Sequence, residues 1–161
     1  MSFLDRIRGK RDVPRKVDAL TLHAGGTLSV VGESYRQDVL ARVAADARDA
    51  RPFLPDLKGK ARGIAHKETD RKWFRAALFR EPSNPHDPNA VAVHAAGYGL
   101  IGYLDREAAI DYAPVFVELE RHGVKIGACP AMLTGGGQGR SWGVVLCISS
   151  PEAVLSDLRA T

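Results

Sequence analysis

The run Leu78-Phe-Arg-Glu-Pro-Ser-Asn-Pro-His-Asp-Pro-Asn-Ala-Val-Ala-Val93 constrains the fold of this chain more than any other stretch. An apolar segment enters a stiff polar loop and returns as a second apolar segment. Pro82, Pro85 and Pro88 hold φ at about −65° at every third position, which leaves the loop few conformations. Asn84-Pro85 and Asp87-Pro88 each start a turn, with the Asx residue first and proline second. Back to back, the two turns fix His86 and Asp87 at the loop tip. Binding residues concentrate on rigid polar loops of this kind, although a well-made hairpin connection alone also accounts for the prolines.

Further short strands surround this hairpin. Residues 20–23 and 27–31 flank Ala24-Gly25-Gly26, residues 73–80 and 90–94 flank the proline loop, and 100–104, 124–129 and 141–149 follow. Val39, Leu40, Val43, Ala44 and Ala47 recur at helical spacing behind a capping box of Ser34 and Gln37, which predicts a helix over 35–49. Asp105 is a natural N-cap for a second helix with Glu107 in its first turn; Pro114 kinks it or begins another, and Gly123 ends it. Residues 51–72, punctuated by Pro52, Pro55, Gly59 and Gly63, read as a basic connection with no element of their own. The strands do not alternate with helices as in βαβ units, which excludes a doubly wound sheet. They predict a mainly β (α+β) fold: a small six-stranded β-barrel, closed or nearly so, with two helices at its rim. The organisation is then an arm at 1–18, a domain at 19–150 and a tail at 151–161 with one or two turns of closing helix.

Charge is unevenly spread along this domain plan. Residues 1–20 hold six basic and three acidic side chains, a net +3, against 17 basic and 16 acidic in the remainder, a net +1. A basic arm suits an anionic partner, nucleic acid first, and equally suits a solvated leader. No stretch approaches a membrane span, and Met1-Ser2-Phe3-Leu4-Asp5-Arg6 lacks the features of a secretory signal, so a cytoplasmic location is expected. Cys129 and Cys147 sit in apolar surroundings without metal spacing and read as small buried hydrophobes.

Few constellations suggest chemistry. The glycine-rich 135–140 ends in Arg140, but a strand follows it where a phosphate-binding loop requires a helix, so a hairpin is expected. His86, Asp87, Asn89, Asp105 and Glu107 lack the fixed spacings of a metal nuclease, and no nucleophile elbow is present. A non-enzyme without cofactor or metal is the expectation. Two aromatic–arginine pairs stand out instead: Tyr35 with Arg36 at a helix mouth, and Trp142 just after Arg140 at a strand start. Such pairs stack single-stranded bases and meet their phosphates, and equally serve as edge packing.

The run from Arg80 to Val93, followed by Ile101-Gly-Tyr-Leu104 and the pair Arg106-Glu107, closely resembles the HIRAN domain family. The resemblance extends over about 27–149 and is specific at 80–107; the arm and the 51–72 connection fall outside it. It implies a modified OB-like barrel that captures single-stranded DNA by its free 3′ end, in a small standalone bacterial-type protein connected with DNA repair or replication. It matches Asp87 to a carboxylate that accepts a hydrogen bond from the terminal 3′-hydroxyl, Tyr35 to an aromatic on the end nucleotide, Arg106 to a phosphate contact and Trp142 to a stacking aromatic. Two departures weaken the match: Ser34 stands where some members have arginine, and His86 replaces a common tyrosine. With Arg36 and Arg140 added, these residues form the expected DNA site. The chemistry agrees, since a carboxylate accepts from a hydroxyl and repels a phosphate at the same position. The alternatives are a protein-interaction adaptor that keeps the fold without DNA and, less favoured, a metal-dependent nuclease.

Overall fold

The computed structural model describes residues 19–68 and 71–161; the basic arm of 1–18 lies outside them. Strand β3 (Trp73–Arg80) organises the sheet because it is apolar on both faces. Phe74, Ala76 and Leu78 point into the main core, while Trp73, Ala77 and Phe79 serve smaller clusters on the other side. The proline loop returns β3 antiparallel into β4 (Val91–Ala95), with Arg80 opposite Val91, and β5 (Gly99–Tyr103) follows β4. On its other edge β3 pairs antiparallel with β6 (Ile126–Gly135), which pairs in turn with β7 (Trp142–Leu146). Two short strands complete the sheet: β2 (Leu28–Ser29) lies antiparallel to β7, and β1 (Ala19–Thr21) runs parallel to the start of β6.

The path β2-β7-β6-β3-β4-β5 curls until the chain just beyond β2 reaches β5. There Val31 and Tyr103 exchange two backbone hydrogen bonds of 2.9 Å each. Gly102 permits this approach, since a Cβ there would lie 2.4 Å from the Val30 side chain and 2.6 Å from the Val31 carbonyl oxygen. The result is the expected mainly β, OB-like architecture, with six strands around the curl and β1 alongside.

Among the described residues four α-helices pack on this sheet: α1 (Gln37–Asp46), α2 (Gly59–Lys67), α3 (Arg106–Arg121) and α4 (Pro151–Arg159). Leu40 and Val43 of α1 and Val115 and Leu119 of α3 join Leu78, Val91, Val93, Ile101 and Leu146 in the main core. Asp105 caps α3 as expected by accepting from the Ala108 N–H, and Pro114 is contained within one continuous helix. The C-terminal residues form a full helix capped by Ser150 and docked on α3, with Val154 and Leu158 buried. Glu118 of α3 receives Arg159 of α4 at 3.5 Å across that contact.

Three expectations from local pattern are corrected here. The 51–72 connection holds a 3₁₀ segment (Arg51–Asp56) and α2, so the molecule has more than two helices. Phe53, Leu57, Ala61 and Ala65 from this region cover Trp73, Met132 and Cys147 as a second core on the outer sheet face. The early helix begins and ends short of 35–49. A 3₁₀ turn (Glu33–Arg36) precedes it, and Arg48 is drawn out to pair with the Trp73 backbone at 3.1 and 2.7 Å. The capping box does not form: Ser34 makes no cap, and the Gln37 side chain is engaged elsewhere. Both cysteines are buried free thiols, with burial pushing Cys147 up to about 11 and Cys129 higher still.

Candidate functional site

Side-chain and backbone turns fix the proline loop as its sequence implies. Asn84 Oδ1 accepts from the N–H groups of His86 (2.8 Å) and Asp87 (3.1 Å), and the Ala90 N–H closes the next turn on the Asp87 carbonyl at 3.0 Å. A third turn, in which the Asn84 N–H reaches the Glu81 carbonyl at 2.9 Å, places Pro82 at its second position. Each of the three prolines thus sits inside or beside a hydrogen-bonded turn.

Asp87 itself is held from two sides. Its Oδ1 accepts from the Asn89 N–H at 2.9 Å, and its Oδ2 lies 3.8 Å from Arg106 Nε on the first turn of α3. The carboxylate is 22% exposed and Arg106 is 77% exposed, so the pair faces solvent at the rim. The separation exceeds a direct hydrogen bond, which leaves both groups with unused capacity. His86 projects its ring from the exposed loop tip.

Tyr103 of β5 completes this corner. Its hydroxyl donates to Glu81 Oε1 at 3.0 Å, and Asn84 Nδ2 donates to the same oxygen at 3.0 Å, so Glu81 ties the loop to the barrel wall. Burial and the Glu81 carboxylate hold the Tyr103 phenol above its ordinary range, while the nearby Arg36 guanidinium pulls the other way. An open cleft of about 620 Å³ lies between the loop, from Glu81 to His86, and the Tyr103 ring.

The remaining expected residues stand beyond this corner. Tyr35 and Arg36 lie on the 3₁₀ turn that packs between β5 and β7, with Tyr35 84% exposed. Trp142 begins β7, half-buried against the core, and its backbone is bound to the side chain of Gln37, the residue that follows this turn. Arg140 is exposed in the β6–β7 hairpin, which forms as expected with the Gly136 N–H on the Ser141 carbonyl. The structure therefore gathers His86, Asp87 and Arg106 directly, places Arg36 beside Tyr103, and leaves Trp142 and Arg140 on the far side of the turn. Tyr103, Glu81 and Gln37 were not among the expected site residues. The first two lie within the quoted motif stretch, whereas Gln37 meets Trp142 across 105 positions with no local signal.

A larger cavity of about 660 Å³ behind the loop is lined by Phe79, His94, Leu100, Phe116 and Ile126 among others, and contains none of the expected residues. Among the described residues no group of three His, Cys, Asp or Glu side chains is arranged to hold a metal ion. No helix among them is long and apolar enough to cross a membrane.

With this geometry in place, the comparison with protein families is informative. One family model matches residues 75–133, from within β3 to late β6. It is the HIRAN domain. The HIRAN match spans the proline loop, Tyr103 and Arg106, and bears out the resemblance over its most specific part. Tyr35 and Trp142 fall outside the matched segment. The HIRAN domain is a DNA-binding module, which supports nucleic-acid binding in general. No curated protein and no solved structure matches the chain.

Proposed function

We propose that this protein is a non-catalytic binder of single-stranded DNA that recognises the free 3′-hydroxyl end. The observation that carries this reading is the solvent-facing Asp87–Arg106 pair, 3.8 Å apart next to His86 of the loop tip. A hydroxyl oxygen placed about 2.8 Å from each group donates to the carboxylate and accepts from the guanidinium. A 3′-phosphate at that place meets the carboxylate charge, and an internal nucleotide has no hydroxyl to offer. Tyr35, His86 and Trp142 supply faces for bases, with Arg36 and Arg140 for phosphates. With so few cations the affinity is weak, on the order of micromolar.

The test is fluorescence anisotropy at low salt with two labelled oligonucleotides that differ only in a 3′-hydroxyl or a 3′-phosphate. Preferential binding of the hydroxyl form is expected, and equal affinity overturns end recognition. Failure to bind either leaves the adaptor reading.

A further inference from the structure

Strand β7 is unevenly supported along its two edges. On one edge Trp142 pairs with Gly135 of β6. On the other, β2 pairs only at Leu28 and Ser29, and one more bond runs from the Val30 N–H to the Val144 carbonyl at 3.1 Å. Continued in register, that pairing sets residue 32 opposite Trp142. The chain does not continue: Gly32, in the left-handed region at φ 80°, turns it away, and Val31 pairs with Tyr103 instead. The N–H and C=O of Trp142 would then face a gap in the barrel wall.

Gln37 fills that gap. Its Oε1 accepts from the Trp142 N–H at 2.7 Å, and its Nε2 donates to the Trp142 carbonyl at 3.0 Å. A primary amide carries the donor and acceptor of a peptide group, so this side chain replaces the missing strand residue. The same Nε2 also donates to the Glu33 carbonyl at 2.9 Å, inside the 3₁₀ turn that bears Tyr35 and Arg36. The indole is confined on its other side. A Cβ at Gly136, whose φ is 78°, would stand 2.3 Å from ring carbons of Trp142, so the ring rests directly against that glycine.

We infer that Gln37 is a positioning residue, which locks Trp142 to the Tyr35–Arg36 turn so that the two halves of the nucleic-acid surface act as one rigid unit. Its effect on a ligand rests on the DNA-binding reading above; its effect on Trp142 does not. A base stacked on the indole with its phosphates at the arginines requires a fixed spacing between ring and cations, and preorganising that spacing avoids ordering it on binding.

The experiment has two readouts on the full chain. Amide hydrogen exchange at Trp142, measured without ligand, should accelerate about tenfold in Gln37→Ala, since the amide loses its acceptor. Anisotropy with a 3′-hydroxyl single-stranded oligonucleotide should show about tenfold weaker binding by Gln37→Ala, but less than about twofold further loss when Gln37→Ala is added to Trp142→Ala. Gln37→Glu keeps the length and one acceptor, yet turns its second oxygen toward two carbonyls. It should weaken binding in the same direction, and it serves if Gln37→Ala does not fold. Unchanged exchange overturns the inference whatever the DNA result. Equal losses with and without Trp142 also overturn it, because they reveal a general structural role. A wild-type chain that binds no oligonucleotide overturns the DNA reading and, with it, the ligand part of the inference. The exchange result still decides whether Gln37 fixes Trp142.

Discussion

Asp87 uses its two carboxylate oxygens differently, one on the Asn89 N–H and the other facing Arg106, so substitutions there separate the turn from the charge. Asp87→Asn keeps an acceptor for the turn and should lose most of the discrimination against a 3′-phosphate, with a melting temperature close to that of wild type. Asp87→Ala should abolish discrimination and lose about 1 kcal/mol of stability with the turn hydrogen bond, read by urea unfolding. A stability loss several times larger would assign Asp87 a structural role instead. Tyr103→Phe removes the hydroxyl that tethers Glu81 while keeping the ring; the expected result is weaker oligonucleotide binding by severalfold and a stability change of about 1 kcal/mol. At this scale the sequence was legible where turn chemistry is local. Asn84-Pro85 and Asp87-Pro88 declare their turns because Asx acceptors and proline φ act within three residues. The Gln37 amide was misread as a cap because the capping-box pattern is local, whereas its real partner comes from the strand at the other end of the chain.

The 51–67 region carries the main lesson at the scale of elements. Its prolines and glycines hid a 3₁₀ segment and a helix, because Phe53, Leu57, Ala61 and Ala65 reveal a buried face only against the outer side of the sheet. Strands announced by apolar and aromatic runs, such as 73–80, appeared where their pattern placed them, since both faces of β3 are buried. The 3₁₀ turn before α1 was not legible, because it arises from the need to leave β2 for β5 at Gly32, a demand of the closing barrel. The second core gives a direct prediction. Phe53, stacked with its ring centroid 6.3 Å from that of Trp73, should cost about 3 kcal/mol when replaced by alanine, measured by urea unfolding. The same Phe53→Ala protein should bind oligonucleotide with wild-type affinity at temperatures where it remains folded, because none of the cleft residues belongs to this cluster.

For the molecule as a whole, pH and salt read different surfaces. The Tyr112 phenol, which donates to the Ser149 carbonyl at 2.6 Å, is pushed by burial from 10.0 up to about 12, and Cys147 from 9.0 up to about 11. Both are acids whose neutral form the fold favours. Their contribution is therefore complete below pH 9 and is lost as pH rises toward 12, on the order of 2 kcal/mol each. The melting temperature should fall through that window, and Tyr112→Phe should make the fall shallower while lowering stability modestly at neutral pH. DNA binding should show a logarithmic salt slope of about −1.4, the value for two phosphate contacts on a single strand from Arg36 and Arg140. The bridge between Val31 and Tyr103 has a consequence for this same binding event. Tyr103 presents its ring to the cleft while its backbone fastens the two margins of the curled sheet, like the pin of a buckle. Any guest that grips the ring therefore also tightens the fastening, so occupancy should be audible at a distance as slowed deuterium uptake by the Val31 amide, which touches no guest at all.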